Sequence, residues 1–426
     1  MGSTSNVTLN KHLATNARRW RLNATASLLV VMLSGCGGGG SGGSPVLSTP
    51  TPPVTPASAP TPAPSPVLTP SSANYDTAEY RRSSGVVYHG AITAYQAGAS
   101  GAGVTVGIVD TGIAETNAEF AGRISPLSRD FGGNGSITDV SGHGTAVAAT
   151  LAGARNDNQV MGMAWGATVL ALRADAAGSC ATSEGCSIST NVMGQAVDYA
   201  RQSGARVINL SLGGDAASPD LLNAVSRATS AGIIIVVAAG NVKAGDAASA
   251  TPGALAASIA DPRYGHGLVI IASSVNADGS VSDFSAGVAG YEQRSLAALG
   301  NMVETINQHG QGYYYSGTSF SAPQIAGAVA LLAQAFPNLT SAQIVELLMT
   351  TARDAGTSGP DAKYGMGILD VAKAFQPKGT LSLAGTTASV NPNDVNALST
   401  AMGDAAVASM SAVALDSYKR PYEVSV

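Results

Sequence analysis

The sequence has few charged and few aromatic residues. Only 12% of its 426 residues are charged and 5% are aromatic, whereas globular chains average roughly 25% charged residues. The 22 lysines and arginines against 27 aspartates and glutamates give a net charge of −5. A chain without a basic excess is poorly suited to binding phosphate backbones. No apolar run reaches the roughly 18 residues of a membrane-spanning helix. These absences favour a soluble, compact, glycine-rich domain and argue against a nucleic-acid partner.

Cysteine is also scarce, with only Cys36, Cys180 and Cys186 in the chain. Cys180 and Cys186 enclose a short loop that contains no histidine, which makes a metal site a poor explanation for the pair. In an oxidising compartment such a pair is expected to form a disulfide. Two free thiols are the alternative.

Residues 1–36 have the pattern of an export signal. Arg18, Arg19 and Arg21 precede an uncharged, mostly apolar stretch over 22–35 that is too short to span a membrane. The stretch ends in Leu-Ser-Gly-Cys, which resembles the lipobox of bacterial lipoproteins. This resemblance implies that Cys36 becomes the lipidated first residue of the mature chain. An ordinary signal peptide with a chance cysteine is the alternative.

Residues 37–72 are predicted to be a disordered, Gly/Pro-rich linker. Residues 37–44 are glycine and serine only, and residues 45–70 contain ten prolines. Such a segment cannot pack a core, and it would hold a domain away from a membrane. The remaining chain is divided into a folded domain over 73–376 and a C-terminal tail over 377–426.

The folded domain alternates apolar strands with segments of helix length. The predicted strands are 104–109, 168–173, 206–212, 233–238 and 268–272, and the predicted helices are 143–153, 188–203, 219–231, 320–335 and 341–353. This alternation predicts an α/β fold, a doubly wound and mostly parallel sheet with helices on both faces. Functional sites in such folds lie at the carboxyl ends of strands.

Three polar motifs stand at strand or helix ends. Asp110 follows the first predicted strand, His143 lies in Ser-Gly-His-Gly-Thr at the start of a helix, and Ser319 lies in a hydroxyl-rich run before residue 320. Each residue alone could be a helix cap or a surface residue. Together, in the order Asp, His, Ser, they supply the acid, base and nucleophile of a serine-hydrolase triad.

Six motifs resemble those of the subtilisin-like serine proteases, and the resemblance covers roughly residues 88–376. They are VDTGI (109–113), SGHGTAVA (141–148), NLSLGG (209–214), VVAAGN (236–241), GTSFSAPQIAGAVALL (317–332) and YGMGILDVAKA (364–374). The resemblance implies a subtilisin-like fold and a serine endopeptidase that works through an acyl-enzyme intermediate.

The resemblance also assigns residue roles. It makes Ser319 the nucleophile and His143 its general base, with Asp110 orienting the imidazole. Asn241 matches the asparagine that, with the backbone N–H of Ser319, forms the oxyanion hole.

Residues Ser211, Leu212 and Gly213 match the segment along which the family binds polypeptide as an added β-strand. The loop 175–187, which contains the cysteine pair, is expected to form the opposite wall of the cleft. A disulfide there would stiffen that wall.

The resemblance implies no cofactor for the chemistry and leaves a structural calcium ion open. Asn156 lies in the loop where many members of the family bind calcium, and Glu119 stands where an aspartate ligand is common. The other ligands would be backbone carbonyl groups. No metal ligand is therefore assigned.

The chain departs from most secreted members of the family, which carry a folded prodomain. The segment between the linker and Tyr88 is too short for one. Residues 80–91 instead resemble the subtilisin-like passenger domains of autotransporters, some of which are lipoproteins. Those chains continue into a C-terminal β-barrel, whereas residues 377–426 are polar and lack alternating ten-residue strands. The tail is interpreted either as the remnant of a link to a lost barrel or as the end of a truncated or separately encoded protease.

We therefore expect an exported, lipid-anchored serine endopeptidase, monomeric and acting on polypeptides at the outer membrane, the cell surface or in the periplasm. A surface lipoprotein that binds polypeptides without cutting them is the first alternative. An esterase is the second, and it is disfavoured because no Gly-x-Ser-x-Gly motif surrounds Ser319.

Overall fold

The computed structural model describes residues 71–181, 186–243, 249–386, 388–390 and 411–425. The signal segment, Cys36 and nearly all of the linker lie outside these ranges, so the predictions made for them stay predictions. The last linker residues touch the domain, because the N–H of Ser71 donates to the carbonyl of Gln96 at 2.8 Å. Within the described ranges, no helix has the length and apolarity needed to cross a membrane.

A seven-stranded sheet forms the centre of the domain, and every pair of neighbouring strands in it is parallel. Its spatial order is β2-β3-β1-β4-β5-β6-β7. The strands are β1 (Thr105–Asp110), β2 (Arg129–Asp130), β3 (Thr168–Arg173), β4 (Val207–Leu210), β5 (Ile234–Ala238), β6 (Val269–Val275) and β7 (Ser295–Leu299). The predicted doubly wound α/β fold is confirmed.

The two edge strands were not predicted. Strand β2 has only two residues, too few to show a periodic pattern. Strand β7 has the sequence Ser-Leu-Ala-Ala-Leu, which lacks the β-branched and aromatic residues that favour strands. It pairs with β6 along its whole length, so its conformation depends on a neighbouring strand.

Alternate residues of each strand face opposite sides of the sheet, and each side buries its own core. In β3, Val169 and Ala171 belong to one hydrophobic cluster, whereas Leu170 and Leu172 belong to the other. Both faces are therefore apolar, which explains why these strands read as continuous hydrophobic runs.

Helices cover both faces of the sheet. They are α1 (Ala78–Arg82), α2 (Ser84–Tyr88), α3 (Ile92–Gln96), α4 (His143–Ala152), α5 (Thr190–Gln202), α6 (Pro219–Ser230), α7 (Ala254–Ile259), α8 (Pro262–Gly265), α9 (Thr318–Ala335), α10 (Ser341–Thr351) and α11 (Val371–Ala374). Helices α4 and α9 pack into one core, and α5 and α6 pack into the other. Helix α9 is buried along nearly all of its length, which fits its small, apolar composition.

Local sequence signals account for several helix ends. Pro219 occupies the first turn of α6, and the Ser218 side chain accepts a hydrogen bond from the N–H of Leu221. Helix α10 begins with a capping box between Thr340 and Gln343.

The remaining strands form smaller antiparallel sheets. They are β8 (Val303–Ile306) paired with β9 (Gly312–Tyr315), and β10 (Leu381–Leu383), β11 (Ser389–Val390), β12 (Ser411–Leu415) and β13 (Pro421–Ser425), in the order β11-β10-β12-β13. The predicted tail 377–426 therefore contains short strands that the sequence analysis did not identify.

A buried ion pair attaches this C-terminal sheet to the main domain. Arg420 is 0% exposed, and its guanidinium lies 2.7 Å from the Asp416 carboxylate. It also donates to the carbonyls of Ala374 (2.6 Å) and Gln376 (2.8 Å) and lies over the Phe336 ring. Removing one member of such a pair leaves an uncompensated buried charge, which typically costs about 3–5 kcal/mol.

Candidate active site

The site lies where β1, β4 and β5 end, at the carboxyl edge of the sheet. Asp110 is the last residue of β1 and is only 1% exposed. Its Oδ1 accepts hydrogen bonds from the backbone N–H of Thr111 (2.8 Å) and from Nδ1 of His143 (2.7 Å). The carboxylate is thus held by the backbone and aimed at the imidazole.

His143 is the first residue of α4, and glycines on both sides let the helix approach the β1 turn. Gly142 caps the helix with φ = 90°, a conformation that favours glycine. A Cβ atom on Gly144 would lie 2.3 Å from the carbonyl oxygen of Gly112. The two backbones could not pack this closely with a larger residue, so the Gly-His-Gly motif sets the position of the imidazole.

The electrostatic environment of His143 favours its charged form. Burial lowers the pKa of the imidazole, but the adjacent Asp110 carboxylate and the more distant Asp139 raise it by more, so the net shift is upward. The side chain is still 29% exposed, so the imidazole is not sealed from solvent.

Ser319 is the second residue of α9, and its hydroxyl bonds to the residue that directly follows β4. Its Oγ donates to the backbone carbonyl of Ser211 at 2.9 Å, while the Ser211 hydroxyl donates to the carbonyl of Ser319 at 2.7 Å. Asn209 in turn donates to the Ser211 hydroxyl at 2.8 Å. Across the described residues no hydrogen bond joins Ser319 to His143, so the hydroxyl must rotate from Ser211 to reach the imidazole. Such bonds often tighten only when substrate binds.

The other two serines of this motif point elsewhere. The Ser316 hydroxyl donates to Oδ1 of Asn301 at 2.8 Å, and the Ser321 hydroxyl donates to the carbonyl of Ala298 at 3.0 Å. Ser321 is fully buried.

Asn241 follows β5, and its amide is oriented by the turn that precedes α9. Its Oδ1 accepts from the backbone N–H and the hydroxyl of Thr318, both at 3.0 Å. A Cβ atom on Gly317 would lie 3.3 Å from Nδ2 of Asn241 and 3.7 Å from the backbone N of Ser319. Both nitrogen atoms therefore border the space left by the missing glycine side chain.

The predicted substrate segment leaves the sheet beyond β4. Ser211 is buried, Leu212 is half-buried and Gly213 is exposed. The register between β4 and β5 ends at Leu210, so within the described part of the chain residues 212 and 213 have no strand partner.

The loop that follows β3 carries a disulfide between Cys180 and Cys186. Asp175, at the start of this loop, is fully buried and pairs with Arg173 at 2.8 Å. The Arg173 guanidinium also donates to the carbonyl of Thr138 at 2.6 Å. This pair connects the disulfide loop to the segment that leads into α4.

Two buried carboxylates lie beside the loop of Asn156. Glu79 and Glu119 are each 1% exposed. Glu79 accepts from the N–H of Asn156 at 3.0 Å, and the Asn156 side chain lies 3.5 Å from Glu119. Among the residues that the structure describes, Oε2 of Glu79 and Oε1 of Glu119 have no hydrogen-bond partner, and burial raises the pKa of Glu119 to about 7. The sequence analysis named Asn156 and Glu119 but missed Glu79, which lies upstream of all six subtilisin-like motifs.

Comparisons with known proteins find relatives in both sequence and structure. The family model described as the subtilase family matches residues 101–367. The chain is 34% identical to Subtilisin DY of Bacillus licheniformis over 66% of this chain and 93% of that protein. It is 32% identical to Subtilisin Savinase of Lederbergia lenta over 66% and 94%, respectively.

Solved structures are similar as well. The structure of MycP1 with its N-terminal propeptide removed has a TM-score of 0.56 and 27% identity, covering 69% of this chain and 96% of that one. A protease from Pseudoalteromonas arctica has a TM-score of 0.57 and 26% identity, covering 70% of this chain and 98% of that one.

Proposed function

The chain belongs to the subtilase family and is a serine endopeptidase, and from this premise we propose that Asp110, His143 and Ser319 form its catalytic triad. The observation that carries the proposal is the 2.7 Å hydrogen bond from His143 Nδ1 to the buried Asp110 carboxylate. It leaves the other imidazole nitrogen as the base for Ser319, which stands at the start of a buried helix.

In the first half of the reaction, Ser319 Oγ attacks the scissile carbonyl carbon and gives its proton to Nε2 of His143. Asp110 keeps the Nδ1 proton in place and stabilises the imidazolium. The imidazolium then protonates the leaving amine, and an acyl-enzyme ester remains on Ser319. In the second half, water attacks the ester with His143 again as base, which releases the acid product and restores the hydroxyl.

The oxyanion is proposed to bind in the space beside Gly317. The Asn241 amide and the Ser319 N–H both border that space. The N–H groups in the first turn of a helix lack intrahelical partners, and the positive end of the helix dipole favours an anion. The chain of a polypeptide substrate would pair with the free backbone of Leu212 and Gly213.

A fluorophosphonate probe tests the proposed nucleophile directly. Residues 71–426 are incubated with the probe and with casein, and mass spectrometry locates the adduct. We expect one adduct, on Ser319, and cleavage of casein that the probe abolishes. A folded protein that takes up no probe and leaves casein intact would refute the triad and favour the alternative of a silent polypeptide-binding protein.

Replacing Asn241 with alanine is expected to lower kcat about 10²–10³-fold, which is the effect known for the corresponding asparagine of subtilisin. KM should change little. The donor is lost where charge develops, while ground-state binding is retained. The measurement is steady-state hydrolysis of a chromogenic peptide. Asn301→Ala removes an amide that bonds to the side chains of Asn276 and Ser316 and is the control. Equal kcat values for the two variants would argue against the assignment.

We further propose that Glu79, Glu119 and Asn156 hold a structural calcium ion. Calcium prefers carboxylate, amide and carbonyl oxygens, and each glutamate offers a buried oxygen that has no donor in the described part of the chain. In the ranges that the structure describes, no three acidic, histidine or cysteine side chains cluster, so the other ligands would be backbone carbonyls. The ion would neutralise two carboxylates whose burial is otherwise costly.

Chelation should therefore destabilise the protein. EDTA is expected to lower the thermal midpoint, and added calcium should restore it, because a ligand at about 100 times its Kd adds about 2.7 kcal/mol of stability. Scanning calorimetry with and without calcium measures the shift. Glu119→Gln should reduce the calcium-dependent shift, whereas Glu115→Gln, an exposed carboxylate nearby in the chain, should not. A midpoint that does not respond to calcium would rule the ion out.

Export and lipid anchoring are proposed from the sequence of residues 1–36, and the resemblance of 80–91 supports a relation to autotransporter passengers. The test is detergent phase partitioning of chains made in a bacterium that has outer-membrane lipoproteins. The wild-type chain should enter the detergent phase, and the Cys36→Ala chain should stay in the aqueous phase. The Cys180→Ala/Cys186→Ala chain, which keeps Cys36, is the control. Equal partitioning of the wild-type and Cys36→Ala chains would exclude the anchor.

A further inference from the structure

We propose that Asp139 is a positioning residue for the triad, a second buried carboxylate that holds the backbone around both Asp110 and His143. The inference rests on the proposed function, because it concerns the same imidazole. Asp139 does not touch the reacting atoms and would act through its neighbours.

The Asp139 carboxylate accepts five hydrogen bonds. Oδ1 accepts from the Thr111 hydroxyl (3.0 Å) and from the backbone N–H groups of Ser141 and Gly142 (both 2.9 Å). Oδ2 accepts from the backbone N–H of Thr145 (2.8 Å) and from its hydroxyl (2.7 Å). The side chain is 4% exposed, so these donors replace water almost completely.

The partners of Asp139 lie on both sides of the Asp110–His143 pair. Thr111 directly follows Asp110, and its hydroxyl also accepts from the N–H of Gly144 at 2.9 Å. Gly142 and Gly144 flank His143 in the sequence. The Asp139 carboxylate therefore connects the end of β1 to the first turn of α4. The hydrogen bond between Asp110 and His143 joins the same two elements.

An ionised carboxylate is the side chain that fits this environment. It has only acceptor sites, whereas an asparagine amide would turn two N–H donors towards groups that themselves donate. Backbone N–H groups at the start of a helix also favour an anion. Replacing the carboxylate with an amide therefore breaks part of the network and leaves the side chain nearly the same size.

The charge of Asp139 also acts on the imidazole. Asp110 and Asp139 both favour the protonated form of His143 and raise its pKa. Three other ionisable side chains lie near this junction in the described residues. Arg173 donates to the carbonyl of Thr138, and Glu115 accepts from the Thr138 hydroxyl. The third is Tyr315, whose ring lies beside Phe320. Loss of the Asp139 charge should therefore lower the pKa of His143.

The test compares Asp139→Asn with wild type in the pH dependence of kcat/KM for a peptide substrate. We expect kcat to fall between about 10- and 100-fold, because small misplacements of catalytic groups have effects of this size. KM should change little, and the acid limb should move to lower pH. Glu115→Gln removes an exposed carboxylate that bonds to Thr138, and it should leave kcat, KM and the acid limb at the wild-type values.

A second pair of variants covers the case in which Asp139→Asn does not fold. Thr111→Val removes the link between Asp139 and the end of β1, and Thr111→Ser keeps it. We expect the valine variant to lose activity and the serine variant to retain it at similar thermal midpoints. NMR titration of the His143 ring protons in each folded variant measures the imidazole pKa directly.

Two outcomes would overturn the proposal. One is a folded Asp139→Asn enzyme with an unchanged kcat. The other is a variant that loses thermal stability and activity together while its pH profile and imidazole pKa stay at the wild-type values, since this would make Asp139 only structural. Failure of the triad itself is distinguishable, because a wild-type protein without Ser319 as nucleophile would carry no fluorophosphonate adduct on Ser319.

Discussion

Ser319→Ala is expected to lower kcat for peptide hydrolysis by about 10⁶, the magnitude found when the corresponding serine is removed from subtilisin. The variant retains the imidazole and the oxyanion donors but has no group that can form the acyl-enzyme. Peptide affinity should be nearly unchanged, because Leu212 and Gly213 still present their backbone groups. The measurement is single-turnover cleavage of a fluorogenic peptide at high enzyme concentration, with binding measured separately by calorimetry.

Ser316→Ala is the matched control for this experiment. It removes a hydroxyl three positions earlier in the chain, and that hydroxyl donates to Asn301 rather than to a residue of the site. Its kcat should stay within a few-fold of wild type. If Ser319→Ala kept activity within tenfold of wild type in a preparation free of contaminating protease, Ser319 would not be the nucleophile.

Asp110→Asn is expected to lower kcat by about 10⁴ near neutral pH. The carboxylate accepts a hydrogen bond from Nδ1 of His143 at 2.7 Å, which leaves the other ring nitrogen free to accept a proton. An amide N–H placed against Nδ1 would stabilise the opposite tautomer, with the proton on the nitrogen that must act as base. The loss should appear in kcat and in kcat/KM alike, because the binding segment beyond β4 is not touched.

Asp130→Asn provides a control at the same edge of the sheet. Its carboxylate binds the backbone N–H groups of Gly132 and Gly135 and does not contact the triad. A fall of less than tenfold for Asp110→Asn, with the imidazole pKa unchanged, would show that Asp110 does not orient His143. NMR titration of the His143 ring protons, as for the Asp139 variants, measures that pKa.

The central sheet and the catalytic motifs were predictable because their signals are local. A strand buried on both faces is a continuous apolar run, and β3 was predicted with the bounds that the structure gives it. Helix α9 was predicted to start at residue 320, whereas it starts at Thr318. The serines and threonines before residue 320 have a composition typical of loops, so the sequence alone did not show that the helix includes them. The positions of Asp110, His143 and Ser319 followed from motifs at strand and helix ends. Their catalytic roles stay proposals.

The interactions that depend on distant residues were not predictable. Asp139 looks like an ordinary loop aspartate in the sequence, since its partners Thr111 and Thr145 come together only when α4 packs against β1. Arg420 and Asp416 look like exposed residues of a polar tail, and only the fold shows that they are buried as a pair. The hydrogen bond from the Ser319 hydroxyl to the carbonyl of Ser211 is likewise a tertiary contact that the sequence does not show.

The long-range contacts of this site also set when the enzyme can become active. Ser319 and Ser211 are 108 residues apart in the chain. The buried His89 ring reaches further, since it bonds to the carbonyl of Leu369, 280 residues downstream. Folds dominated by such distant pairings form slowly. Because Asp110, His143 and Ser211 all precede Ser319 in the chain, we expect the site to form only after α9 has been synthesised and packed against the sheet.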